Sequence, residues 1–232
     1  MSTFKAYVFL SLFAFVGLVA AHAQSGDNAL EQGNRFFGLG QYEMAIAQYR
    51  VVASWSHEYQ PIAHFNMGVC YHQLGQLKES VASYRAAIHL KNGHYVKASF
   101  ALGLVLNELR DWKEAQIAFA QAVEASGGRD AEALFQWALL LAREGDQETA
   151  AKKLRQAIKY TGKAFPGGHN NLGVLLALRG RYDEAVSEFK LALYQSNGQL
   201  TAANENLKLC RALINSSSRT LLASLKTTTQ AQ

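Results

Sequence analysis

Gly33, Gly68, Gly103 and Gly173 recur at a spacing of 35 residues or twice that, and Ala138 fills the one remaining slot. The same register carries Ala45, Ser80, Ala115, Ala150 and Ala185, and then Tyr49, Tyr84, Phe119, Leu154 and Phe189. A chain keeps such a period by repeating one supersecondary unit that buries its apolar face only against its neighbours, which is the logic of a solenoid. The register predicts five units, and it leaves no second domain for a catalytic pocket.

The second unit shows what is repeated. Pro61 sits where a first-turn proline is tolerated, and the chain then runs without a breaker to Leu74. Gly75 is a natural C-terminal cap, and Leu77 to Leu90 is again free of Gly and Pro before Asn92-Gly93 stops it. Met67, Tyr71 and Leu74 form one apolar stripe, and Leu77, Val81, Tyr84 and Ile88 form the matching one. Two helices, A and B, must therefore face each other across a tight turn. Glycine inside a helix costs about 1 kcal/mol relative to alanine. Gly68 and its equivalents are expected to mark the closest approach of A to B, with Ser80 and the alanines of its register opposite. The ring four residues further on then fills the space between layers.

These residues resemble the tetratricopeptide repeat over roughly residues 26–200. Leu102, Gly103, Leu106, Ala115, Phe119 and Ala122 carry the pattern in the third repeat, and Leu172, Gly173, Leu176, Ala185, Phe189 and Ala192 in the fifth. The departures are a period of 35 rather than the usual 34, the missing closing proline, and Ala138 with Leu154 in the fourth repeat. The resemblance implies an all-α, right-handed superhelix of helix-turn-helix repeats at 26–60, 61–95, 96–130, 131–165 and 166–200. A capping helix at 201–215 is expected next, with Leu207, Cys210 and Leu213 inward and Lys208 and Arg211 outward. A polar, flexible tail at 216–232 is expected last, in which Leu221, Leu222 and Leu225 are the residues able to dock.

Helix A has more apolar surface than its pairing with B uses. Leu30, Phe65, Phe100 and Phe135 share one register, followed by Val69, Leu104, Leu139 and Val174. By the resemblance this surface lines a concave groove, the usual place for a peptide or partner helix. Neighbouring A helices burying the same rings against one another is the alternative. Asn34, His72, Gln73, Asn107, Glu108, Arg143 and Asn170 are expected as polar contacts on the rim. Family members that clamp acidic chaperone tails use lysines, asparagines and an arginine; the matching positions here are Leu30, Asn34, Asn66, Lys97 and Ala101, of which only Lys97 is informative. An apolar protein segment is therefore the expected partner. A homo-oligomeric structural element and a carrier of an apolar ligand remain as alternatives.

Residues 6–21 form an uncharged apolar run behind Lys5, and Ala21-His22-Ala23 supplies the small-x-small pattern cleaved by signal peptidase. The run falls short of the roughly 20 residues that span a bilayer, and Gln24 stands where a lipoprotein would need cysteine. Residues 1–23 are thus expected as a signal peptide, giving an exported chain, periplasmic or secreted, without a stable anchor. The resemblance places it among adaptors of bacterial envelopes. The formal net charge is +5, with acids and bases interspersed, which argues against a nucleic-acid partner. Lys152, Lys153, Arg155, Lys159 and Lys163 crowd one helix and are expected as a solvated outer face. Cys70 and Cys210 lie too far apart in the register to bridge; Cys70 is expected as a small buried apolar group, while Cys210 is left as free or paired between molecules.

No chemistry is expected. His64 and His72 stand two helical turns apart, too far to share a metal, and no His-Glu-x-x-His occurs. The histidines are expected at the surface or along the groove. Gly167-Gly168-His169-Asn170 lacks the Lys-Ser/Thr of a phosphate loop and is expected to be a connector between repeats. No cofactor, metal or catalytic residue is assigned. N-terminal sequencing of the exported chain is expected to begin at Gln24, and Ala23→Arg to block that processing; an exported chain that retains residue 1 would refute the signal assignment.

Overall fold

The computed structural model describes residues 28–55, 57–215 and 225–229. The expected signal segment, Leu221 and Leu222 lie outside them. All regular structure among the described residues is helical, and the chain divides into two compact units, one ending at Asp111 and one beginning at Trp112.

The first unit holds α1 (28–38), α2 (Tyr42–Trp55), α3 (Gln60–Gln73), α4 (Leu77–Leu90) and α5 (Val96–Glu108). Its helices pack in chain order, α2 on α3, α3 on α4 and α4 on α5. Pro61 lies in the first turn of α3. The apolar stripes meet as expected, with Met67, Val81, Tyr84 and Ile88 buried and Tyr71, Leu74 and Leu77 half-buried. Cys70 is sealed in this core beside Tyr49 and Met67, and burial pushes its thiol up to about 11.

The second unit holds α6 (Trp112–Ala125), α7 (Ala131–Arg143), α8 (Gln147–Tyr160), α9 (Pro166–Leu178), α10 (Tyr182–Gln195) and α11 (Thr201–Asn215). Consecutive helices again pack, and α11 also reaches back to α9. Asp130 and Asp146 cap α7 and α8 by accepting from the amides of Ala133 and Thr149 at 2.8 and 3.0 Å. In α11, Leu207, Cys210 and Leu213 are buried while Lys208 and Arg211 face water. Burial raises the Cys210 thiol, and with no exposed surface that sulfur is not offered for pairing between molecules.

One contact sets the A-to-B distance in both units. A Cβ placed on Gly33, Gly68 or Gly173 would lie 2.6 Å from the ring of Tyr49, Tyr84 or Phe189 respectively. Each ring is almost wholly buried, so it has nowhere to go. Burial pushes the Tyr49 and Tyr84 phenols up to about 12. From the B side, the buried Ser80 hydroxyl donates to the Gly68 carbonyl at 2.8 Å, an approach no larger side chain would allow. In the fourth repeat both partners change together: Ala138 replaces the glycine and Leu154 the ring, and both are buried. The pair trades volume across one contact.

The turns from A to B follow a register of their own. Gly40, Gly75, Gly145 and Gly180 have φ between +71° and +92°, and Arg110 takes the same place with φ +61°. Glycine closes four of these turns because the helix ends in a left-handed residue, which an L side chain resists.

The expected connector at Gly167-Gly168 is corrected: both glycines lie inside the first turn of α9, which begins at Pro166. A Cβ on Gly168 would meet the Phe165 ring at 2.6 Å, so glycine here lets that ring fold over the helix start.

Gly173→Ala and Phe189→Leu are each expected to destabilise, one by crowding and one by opening a void. Together they rebuild the Ala138/Leu154 pairing, so urea denaturation is expected to show coupling of about 1 kcal/mol or more. Additive effects within about 0.5 kcal/mol would show that the glycine and ring are not one contact.

Candidate functional site

The expected groove residues fall into two groups, one on each unit. In the first unit, Leu30, Phe65, Val69, His72, Phe100 and Asn107 are half-buried, while Asn34 and Leu104 are exposed. Phe65 lies between two aromatic rings, 5.7 Å from Tyr84 and 5.5 Å from Tyr95. Leu104, at 39% exposure, presents its side chain to water from the middle of α5. The rim residues meet in pairs: His72 Nε2 lies 2.9 Å from Glu108 Oε2, joining α3 to α5. Asn34 Oδ1 accepts from the Tyr49 hydroxyl at 2.8 Å and from Asn66 Nδ2 at 3.4 Å. His64 is half-buried in a shallow cleft with Arg50, Tyr71 and Ser83, and burial lowers its pKa.

In the second unit the aromatic row closes. Phe135 has no exposed surface and packs against Phe165 with ring centroids 5.1 Å apart. Its expected place on an open groove is therefore corrected, and the alternative of ring burial holds at this position. Phe165, folded over Gly168 at the start of α9, is among the groups that cover Phe135. Leu139 is half-buried, and Val174, expected in the same apolar stripe, is buried. Arg143 stacks on Trp112, its guanidinium carbon 3.6 Å from the ring centroid. Lys153 of the basic helix likewise covers Trp137 at 3.8 Å, and desolvation lowers its pKa. Lys152 pairs with Glu148 at 3.5 Å in water, a contact of small energetic weight.

His169 is also not at the surface. Its Nδ1 lies 2.7 Å from Glu188, and its Nε2 lies 3.2 Å from the Gln195 amide, whose Oε1 accepts from the Phe165 amide. These bonds staple the start of α9 to α10.

Asn170 departs furthest from its expected place on the rim. It is wholly buried, as are Asn171 and Asn206, and all three hydrogen-bond the main chain of Lys226 or Thr228. Asn206 Oδ1 accepts from the Lys226 amide at 2.8 Å, and its Nδ2 donates to the Lys226 carbonyl at 2.6 Å. Asn170 Nδ2 donates to that carbonyl at 2.9 Å. Asn171 repeats the arrangement two residues on, accepting from the Thr228 amide and donating to its carbonyl, both at 2.6 Å. A carboxamide has the donor and acceptor of a peptide group, so Asn206 and Asn171 each pair with one residue as a neighbouring strand would. Residues i and i+2 of an extended chain face the same way, and Lys226 and Thr228 fit that spacing. Part of the stretch expected as tail is thus seated on helix A of the fifth repeat.

Two side chains add to this main-chain grip. Lys226 Nζ pairs with Glu205 at 2.5 Å, and the Thr228 hydroxyl lies 3.3 Å from the Gly167 carbonyl and 3.2 Å from Asn171 Oδ1. Sequence reasoning missed Asn171, Glu205 and Asn206. A signal existed, because Asn66, Gln136, Asn171 and Asn206 share one register, and Asn170 occupies the slot of Phe65, Phe100 and Phe135. No group of three or more His, Cys, Asp or Glu able to hold a metal occurs among the described residues. None of their helices is long and apolar enough to cross a membrane.

The tetratricopeptide-repeat family profile matches residues 30–95, 100–169 and 135–199, well over half of the chain. No curated protein matches it. Among solved structures, MamA from Desulfovibrio magneticus RS-1 superposes with a TM-score of 0.64 at 19% identity, over 76% of this chain and 98% of that one. PilF from Pseudomonas aeruginosa gives 0.66 at 16% identity, over 88% and 90%. YrrB, described as a TPR protein with an unusual peptide-binding site, gives 0.59 at 22% identity, over 71% and 82%. At such identities the likeness concerns the fold.

Phe135→Ala is expected to cost about 3–5 kcal/mol in urea denaturation, against about 0.5 kcal/mol or less for Leu104→Ala. Equal costs at the two positions would contradict the division into a sealed and an open part of the aromatic row.

Proposed function

Because the chain belongs to the tetratricopeptide-repeat family, whose general work is to bind other proteins or peptides, we propose that it is an exported, non-enzymatic scaffold of the cell envelope that captures extended protein segments on its A helices. The observation that supports this reading is the seat of Lys226–Thr228 on α9 and α11, where buried asparagines hold an extended main chain. The asparagines stand on helices that pack on their neighbours, which limits the ordering cost of binding on their side.

The A helices of the first unit offer a different chemistry for the same task. Leu104 and the half-buried Phe65 and Phe100 supply apolar contact, and Asn34, Asn66, His72 and Glu108 supply hydrogen-bonding groups beside them. An extended segment with apolar side chains on alternate positions fits such a face, since its main chain meets the polar groups while every second side chain meets the rings.

Fluorescence anisotropy of a labelled peptide library against the mature chain is expected to select extended apolar segments. Leu104→Asp is expected to weaken the selected segment at least about fivefold while leaving the melting temperature within about two degrees, as for other surface changes. Unchanged affinity in that variant, or a library from which nothing is retained, would overturn the assignment of this face.

A further inference from the structure

The seat on α9 and α11 has the features of a ligand site already holding its ligand. At one end of this seat the Gly167 carbonyl, in the first turn of α9, accepts from the Thr228 hydroxyl at 3.3 Å. Three buried carboxamides line it, and all three direct hydrogen bonds to two residues of one segment. Asn206 Nδ2 also donates to Asn170 Oδ1 at 2.9 Å, and Asn170 Nδ2 to Asn171 Oδ1 at 3.2 Å, so the three form one linked row whose other bonds go to the segment. Here Asn171 bonds both main-chain groups of Thr228, and Asn206 both of Lys226. At the rim Glu205 takes the ammonium of Lys226. Thr227, between them, is exposed and unread.

We propose that Gly167, Asn170, Asn171, Glu205 and Asn206 form a binding site for an extended Lys-x-Thr segment, and that Lys226–Thr228 of the same chain is its resident occupant, which an incoming partner segment must displace. This deepens the functional reading above and rests on it. The main-chain bonds set the extended form, Glu205 selects a cation, and the Gly167 carbonyl with Asn171 selects a hydroxyl two residues later. No bulky side chain is required of the partner, and a proline at either read position is excluded because it has no amide hydrogen to give.

Occupancy in cis makes the site a gate. The resident segment is tethered to α11 through residues 216–224, and a tether of this length holds its end at an effective concentration of about 1 mM. For a segment whose own Kd at the open site is about 0.1 mM, the site is closed about ten to one, and an external copy binds about elevenfold more weakly than to the open form. A partner gains entry by offering more contacts than the tail does.

The test uses the full mature chain and a labelled peptide with the sequence of residues 223–230. Lys226→Pro with Thr228→Pro unseats the tail by removing both donated amides, the ammonium and the hydroxyl, without touching the site. The peptide is expected to bind this variant at least about tenfold tighter than the wild type. Glu205→Lys in the unseated chain is expected to weaken the peptide and to restore affinity for a peptide carrying Glu in place of its lysine, a rescue that a damaged fold would not give. Equal binding to the wild-type and unseated chains overturns the gate. An unseated chain of unchanged melting temperature that does not bind the peptide overturns the site. A wild-type dimer that the two prolines convert to monomer places the occupant on a second copy and overturns the assignment in cis. If the unseated chain fails while the Leu104 face still retains its library peptides, the functional reading stands without this site; if both fail, the two fall together.

Discussion

Everything in this structure depends on how closely helix A of a repeat lies on helix B. That distance is fixed by a missing side chain against a ring, with no Cβ at Gly33, Gly68 or Gly173 and a buried aromatic face 2.6 Å from where it would be. The contact is costly in helix propensity, about 1 kcal/mol per glycine, and gains the dispersion of a whole ring packed flat on backbone. Once the distance is fixed, the ring's far side decides which residues of the next helix reach the core. The period of 35 therefore describes a repeated packing decision, and Ala138 with Leu154 shows that the decision concerns volume across the contact.

With that spacing held constant, the A-helix face becomes a surface whose chemistry differs from repeat to repeat. The slot that holds Phe65, Phe100 and Phe135 holds Asn170 in the fifth repeat, and the slot of Lys97 holds Gly167. Removing a ring and a long side chain from neighbouring positions opens room for a polypeptide strand, and the asparagines then bond the strand that enters. Phe165 lies over Gly168 and against Phe135, in the same unit as the seat. The half-buried rings of the first unit and the buried asparagines of the second are thus two chemistries carried on one kind of helix pair.

The helices, their turns and most of the core were legible in the sequence because each depends on local chemistry repeated at a fixed interval. Gly75 and Asn92-Gly93 end helices for reasons contained within a few residues, and Met67, Val81, Tyr84 and Ile88 are spaced to face one way. The candidate site was legible only in part. Phe65 and Phe100 keep some exposure as their register suggests, but Phe135 is buried although its contact with Phe165 repeats, two periods on, the contact of Phe65 with Tyr95, so the difference lies in packing beyond that pair. The tail was opaque for a stronger reason. Its residues Lys226 to Thr228 are polar and carry no periodicity, and what seats them is their main chain, which every sequence has. The recurrence of carboxamides at Asn171 and Asn206 was visible, yet an asparagine gains meaning only when its partner is known.

The strength of that seat follows from what it forms and what it orders. Six hydrogen bonds join the segment to Gly167, Asn170, Asn171 and Asn206, each worth about 1 kcal/mol net of the water it replaces. Against them stands the ordering of residues 225–229, at about 1–2 kcal/mol for each backbone fixed. The two sums are of the same size, so the docked state is held by a small margin, within which even the partly exposed Lys226–Glu205 pair, worth up to about 1 kcal/mol, weighs on occupancy. The asparagines make the margin asymmetric. Emptied while still shut away from water, they would leave carboxamides unsatisfied at about 1–3 kcal/mol apiece, whereas an incoming strand that offers the same amides and carbonyls meets each need as the tail leaves. Exchange of one strand for another is therefore the easy route and vacancy the hard one, which is the behaviour required of a site whose occupant is to be replaced by a partner.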